Sequence, residues 1–137
     1  NKKPILFIDY LTLIRSGELY GGNSHLQVTE ISKSLKTMAK DFHCPVICLA
    51  QLNRSVESRA NKRPMMSDIR ESGSVEQDAD VILFLYREAY YDKDSQDRSL
   101  EIIVSKNRNG PVGTITVNYN EYTGKIEEQK EQRMTLE

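Results

Sequence analysis

The sequence predicts an α/β fold, with parallel core strands followed by a C-terminal antiparallel hairpin. Three observations carry this prediction. Short apolar runs at residues 5–8, 46–50 and 81–86 are too brief for helices and too continuous for strands with one wet face, so they read as buried strands. The first two enclose a stretch with helical period, which is the pattern of a parallel crossover. Two further runs, at 100–105 and 113–119, are joined by Asn109-Gly110 turn chemistry, the signal of a hairpin.

The chain has 137 residues, enough for one domain with a core. Hydrophobic residues make up 38% and charged residues 28%, the composition of a globular cytosolic chain. A net charge of −1 gives no bulk attraction to nucleic acid, so any basic surface must be local. No run reaches transmembrane length and no signal peptide is visible, so no membrane role is expected. Cys44 and Cys48 flank or enter a strand and read as buried free thiols, and no metal-type spacing involves His25 or His43. The chain opens at Asn1 without an initiator Met and almost at once enters a core strand. It therefore reads as a piece of a longer protein whose sheet has an open edge.

The first run is Pro4-Ile5-Leu6-Phe7-Ile8 followed by Asp9. Ligands of open α/β sheets bind at the C-terminal ends of the strands. Asp9 therefore admits two readings, a cap or turn former, or a ligand-side acid of an ATPase that holds Mg²⁺ directly or through water. Residues 11–23 end in Tyr20-Gly21-Gly22-Asn23, which is loop chemistry. Gly17 and Gly22 have the spacing of a phosphate-binding loop, but Asn23 stands where such a loop has Lys, so the match reads as chance.

Val28, Ile31, Leu35, Met38 and Phe42 form one helical stripe across residues 24–42, with Ser24 as N-cap. Lys33, Lys36 and Lys40 form the opposite, solvated face. Pro45 stops the helix. The second strand ends at Gln51, which should lie beside Asp9 on one margin. It would there hydrogen-bond a loop or sense a terminal phosphate, since an amide both donates and accepts. Residues 52–67 form a long polar connection carrying Arg54, Arg59, Lys62 and Arg63, read either as a solvent loop or as a contact to a phosphate backbone. Gly73 is expected to interrupt a short helix capped by Ser67 or Asp68, either through a positive φ or by allowing another backbone to approach. Residues 87–99 read as an exposed polar excursion, and Lys106 and Arg108 sit on the hairpin tip. Those two cations are either solubilising charges or a phosphate-seeking finger. From Lys125 onward the composition predicts a frayed tail.

In this order, the motifs resemble those of DnaB-type hexameric replicative DNA helicases, over the C-terminal half of the RecA-like ATPase domain (residues 1–126, with 127–137 as a flexible tail). Ile5-Leu6-Phe7-Ile8-Asp9-Tyr10-Leu11 looks like that family's Walker B strand. Cys48-Leu49-Ala50-Gln51-Leu52-Asn53-Arg54 resembles its glutamine sensor. Residues 63–80, with Ser67-Asp68-Ile69-Arg70-Glu71-Ser72-Gly73 at their centre, are similar to its DNA-loop motif and form the most specific match. Lys106-Asn107-Arg108-Asn109-Gly110-Pro111 looks like its arginine-finger hairpin.

The resemblance implies a truncated RecA-like P-loop NTPase sheet. Within it, Asp9 supports Mg²⁺ at ATP, and Gln51 couples the γ-phosphate to the DNA loops. Arg70, Glu71 and Gly73, with Arg54, line the path of single-stranded DNA. Arg108 and Lys106 reach the neighbouring subunit's ATP site. It also implies a homohexamer, with primase and helicase loader engaged by regions outside this chain, in a bacterial or phage replisome. No Gly-x-x-x-x-Gly-Lys-Ser/Thr loop occurs in the 137 residues, so the chain alone is expected to be inactive. Two alternatives stand beside this reading, a recombinase-type or clock-type ATPase and a non-catalytic nucleic-acid-binding module. The motor reading expects Asp9, Gln51 and Arg108 on a common sheet margin.

Overall fold

The structure is a computed structural model that describes residues 3–14, 24–69 and 72–129. It divides into two compact units, residues 1–80 and 81–137.

In the first unit, β1 (Leu6–Ile8) pairs in parallel with β2 (Val46–Cys48), and α1 (Ser24–Asp41) provides the crossover. The register sets Phe7 beside Ile47 on one face and Ile8 beside Cys48 on the other. Among the described residues, only the second face is covered. Cys48, Ile14, Leu35 and Val75 pack on a core of Leu11, Val28 and Ile31. On the opposite face Phe7 is 69% and Ile47 45% exposed. The expectation of strands buried on both faces therefore holds for one face, because among the described residues this unit has helices on that side alone.

The α1 stripe is buried at Val28 and Ile31 and fades toward the C-terminus, where Phe42 is 71% exposed. Phe42 lies past the last helical turn. His43 adopts a left-handed φ of 48° there, with Cys44 N–H donating to Ala39 O and His43 N–H to Lys40 O. These two bonds form a Schellman cap and turn the chain toward Pro45. Ser24 is the first helical residue. The Gly17/Gly22 pair lies outside the described residues. Lys33 and Lys40 face solvent as expected, whereas Lys36 reaches across to Asp80. Both thiols are free, and burial pushes the Cys48 thiol up.

After β2 the chain forms a 3-10 turn at Arg54–Ser58, another at Met66–Asp68, and then α2 (Ser72–Asp78). Helix α2 is tied to α1 by the Thr29–Ser74 hydroxyl pair at 2.6 Å and by Lys36–Asp80. Gly73 does not interrupt a helix. It sits in the first turn of α2 and has no positive φ.

The second unit is an antiparallel meander in the order β3-β4-β5-β6, with β3 (Val81–Tyr86), β4 (Ser99–Asn107), β5 (Gly113–Tyr119) and β6 (Ile126–Glu128). The expected hairpin is β4–β5, and β3 and β6 extend it on both sides. Segment 126–128 is thus an edge strand rather than frayed, held by pairing with Val117–Tyr119. Three exposed residues carry too little pattern to signal this locally. The run of β3 shows alternating burial, with Ile82, Phe84 and Tyr86 inside and Val81, Leu83 and Leu85 out. A uniform apolar run hid this alternation.

Candidate functional site

Asp9 follows the last residue of β1, and the geometry around it is set by the backbone. Leu49 N–H donates to Ile8 O at 2.9 Å, and Leu49 O accepts from Leu11 N–H at 2.8 Å. These bonds bracket Asp9 and bring the segment leading to Gln51 alongside it, at the C-terminal ends of both parallel strands. Both side chains are exposed. Neither has a hydrogen-bond or ion-pair partner among the described residues, so both are available to a ligand. The peptide joining Asp9 to Tyr10 is cis.

A carboxylate oxygen suits Mg²⁺, a hard cation that keeps several waters and uses one or two carboxylates together with substrate phosphates. No cluster of three or more potential metal ligands occurs among the described residues. A single exposed carboxylate such as Asp9 could make one contact to a nucleotide-borne ion.

The connection after Gln51 folds around one buried carboxylate. Asp68 is 3% exposed. Its Oδ1 accepts from Arg59 Nη1 at 2.9 Å, and its Oδ2 accepts from Arg59 Nη2 and from Met65 N–H, both at 2.8 Å. The same guanidinium donates to the carbonyls of Asn61 (3.3 Å) and Arg63 (2.9 Å). At the mouth of the loop, Asn53 N–H donates to Asp68 O at 2.7 Å, and Leu52 bridges Ile69. Removing Arg59 would leave the Asp68 carboxylate buried without its counter-charge, which is unfavourable away from water. Arg59 is thus engaged by the chain's own carboxylate and carbonyls. Arg54 does remain exposed, at the start of its 3-10 turn.

Gly73 is exposed, and a Cβ built on it meets nothing within 4 Å. Arg70 and Glu71 lie outside the described residues.

In the second unit, the hairpin tip projects beyond the last β4–β5 pair, Val104–Gly113. Asn107 laces the tip, its Nδ2 donating to Pro111 O and its Oδ1 accepting from Asn109 N–H, both at 3.3 Å. A Cβ on Gly110 would come within 2.6 Å of Asn107 Nδ2, so the lacing requires glycine there. Arg108 is exposed between these anchors, and Lys106 is half-buried, opposite Ile82. The hydrogen-bond ladders thus join the acid and the amide in one sheet and carry the guanidinium on another.

The family model for the DnaB-like helicase C terminal domain matches residues 1–128. The chain belongs to this family. It is 57% identical over 112 residues to the replicative DNA helicase DnaB of Geobacillus stearothermophilus, covering 81% of this chain and 25% of the relative. It is 45% identical over 130 residues to the replicative DNA helicase DnaB of Haemophilus influenzae, covering 94% of this chain and 28% of the relative. A solved structure described as a DnaB-like replicative helicase and its interactions with primase superposes with a TM-score of 0.86 at 45% identity, covering 92% of this chain and 31% of that one. A second solved structure, described as an ATPase domain, gives the same TM-score and identity over 44% of its length.

This DnaB-like chain therefore has the RecA-like α/β fold, as a parallel pair and an antiparallel meander, and it spans about a quarter of the length of these curated relatives. Membership sets aside the recombinase-type alternative. No described helix is long and apolar enough to cross a membrane.

Sequence reading missed two features of this DnaB-like chain. One is the Arg59–Asp68 clamp, whose partners are nine residues apart in an aperiodic loop. The other is a polar and aromatic cluster in the excursion after β3. There α3 (Glu88–Tyr91) forms, Arg87 lies 4.1 Å over the Tyr119 ring, and Glu121 accepts from both Arg87 and Arg98. The density of tyrosine and opposite charges in 86–98 was the available signal.

Proposed function

We propose that this chain supplies the Mg²⁺-side acid, the phosphate-sensing amide, a DNA-tracking loop and a trans-acting arginine finger to an ATP-driven replicative DNA helicase that works as a hexameric ring. The observation that carries the reading is the pairing of Asp9 and Gln51, exposed and without partners among the described residues, at the C-terminal ends of two parallel strands. That edge is where α/β sheets bind nucleotides.

In this reading Asp9 orients the hydration shell of the nucleotide's Mg²⁺, which neutralises charge on the phosphates. Gln51 faces the terminal phosphate, and its amide can change partner when that phosphate is lost. Arg108, with Lys106, is presented on a laced tip to the ATP of the next subunit, where a guanidinium stabilises transition-state charge and is worth about 10³–10⁵ in turnover. A finger supplied by a neighbour ties hydrolysis to the geometry between subunits, as a stepping ring requires.

Arg70, Glu71 and Gly73, with Arg54, would follow the single-stranded DNA backbone, since phosphate contacts carry no sequence information and permit movement along any sequence. The open space at Gly73 supports this. Among the described residues, nothing stands within 4 Å of a Cβ built there, so no contact among them requires its bareness. Primase, as in the related structure's description, and a loader would engage the remainder of the protein.

The test is complementation in the full-length protein. Asp9→Asn and Arg108→Ala rings should each hydrolyse ATP at least ~100-fold more slowly with DNA present. Mixed rings should recover part of the activity, because an interface pairing Asp9 of one subunit with Arg108 of the other is intact. A mixture no more active than either parent would remove the trans assignment.

A further inference from the structure

The Arg59–Asp68 clamp has a position that stability alone does not explain. Leu52 bridges Ile69 by a single antiparallel rung. In the sequence Gln51 immediately precedes that rung and Arg70 immediately follows it. The proposed nucleotide-sensing residue and the proposed DNA-tracking segment are thus each one residue from a shared junction. One rung is weak by itself. It is reinforced by Asn53 N–H donating to Asp68 O at 2.7 Å, and Asp68 is in turn gripped through both carboxylate oxygens by Arg59. The guanidinium also holds the carbonyls of Asn61 and Arg63, so the excursion from 53 to 68 is wound around one group. The Arg59 side chain is 29% exposed and that of Asp68 4%, which makes this a part-buried, bidentate fork rather than a solvent-screened surface pair.

We propose that Arg59 and Asp68 are positioning residues that hold the Leu52–Ile69 junction rigid, so that a change at Gln51 is transmitted to the segment beginning at Arg70. The proposal rests on the helicase reading above. Both residues act through the junction and not by contact with nucleotide or DNA. With the fork intact, Leu52 and Ile69 are held in one register. Without it, the junction is one unsupported rung at the neck of a flexible loop, and motion at Gln51 dissipates in that loop.

A buried ion pair replaced by apolar side chains of similar size often leaves stability unchanged, which permits a test that separates coupling from folding. In the full-length protein, Arg59→Met/Asp68→Leu removes the oriented fork while keeping the volume. The readouts are ATP turnover without DNA, turnover with saturating single-stranded DNA, KM for ATP, and melting temperature. We expect KM and DNA-independent turnover within about twofold of wild type, and DNA stimulation reduced about tenfold, a typical size for a lost coupling between sites. Arg59→Lys, which keeps the charge but not the fork, should lose stimulation in the same direction and decides the matter if the double variant does not assemble. Undiminished stimulation in either assembled variant would overturn the proposal. So would a loss of basal and stimulated turnover in equal proportion, which marks a merely structural role. If wild-type turnover does not respond to single-stranded DNA at all, the helicase reading itself falls, an outcome distinguishable from failure of the clamp alone.

Discussion

Leu49 grips the backbone on both sides of Asp9, its N–H bonded to Ile8 O at 2.9 Å and its carbonyl to Leu11 N–H at 2.8 Å. The position of the carboxylate therefore depends on main-chain bonds and not on its own side-chain contacts. Exposed side chains without partners contribute little to stability, typically within about ±0.5 kcal/mol. Asp9→Asn and Gln51→Ala should accordingly leave the melting temperature of the domain within about 2 °C of wild type. Their effects on turnover should differ. Asp9→Asn should raise the Mg²⁺ concentration needed for half-maximal ATP hydrolysis. Gln51→Ala should leave that concentration unchanged and abolish stimulation by DNA. A magnesium titration of both variants, with and without single-stranded DNA, checks this, and identical profiles would remove the division of roles.

Gly73→Ala offers an inverted outcome. A methyl group there meets nothing within 4 Å among the described residues, and Ala is a better helix former than Gly. Thermal stability should therefore hold or rise slightly. Affinity for single-stranded DNA should nevertheless fall several-fold, equally for all sequences, because the added methyl occupies the approach to a phosphate backbone. Fluorescence anisotropy on oligonucleotides of different composition, beside a melting curve, measures both. Unaltered affinity would free Gly73 from the DNA assignment.

Gly110→Ala should act through Asn107. The new Cβ would press on Asn107 Nδ2 from 2.6 Å. That atom ends a rotatable side chain, so relief is cheap for the fold. It would, however, undo the bonds to Asn109 and Pro111 that stiffen the tip. We expect a melting temperature near wild type, nucleotide binding within about threefold, and DNA-stimulated turnover reduced about tenfold, since small misplacement of a catalytic group can cost up to ~10²-fold. Wild-type turnover in this variant would show that Arg108 needs no rigid tip.

Much of the fold was legible because its signals are local. The spacing of Val28, Ile31 and Leu35 marked α1, the Pro45 stop marked its end, and the Asn109-Gly110 turn marked the β4–β5 hairpin. The placing of Asp9 beside Gln51 followed from the handed crossover between two parallel strands, and the ladder Leu6–Val46, Phe7–Ile47, Ile8–Cys48 realises it. Phe42 was misread because the apolar period runs one residue beyond Asp41, where the helix ends and the chain begins to turn.

The amino-acid sequence by itself determined the types of β1 to β5 and of α1, the family and the chemical character of the first two strand ends, since these reside in residue identity and spacing along the chain. Only the tertiary structure decided that β3 and β6 flank the hairpin, that Arg59 is committed to Asp68 while Arg54 stays exposed, and that Gly73 lies within a helix with no described atom beside it. Those outcomes depend on which groups meet across many intervening residues, and a guanidinium looks the same in sequence whether its partner is a buried carboxylate or solvent.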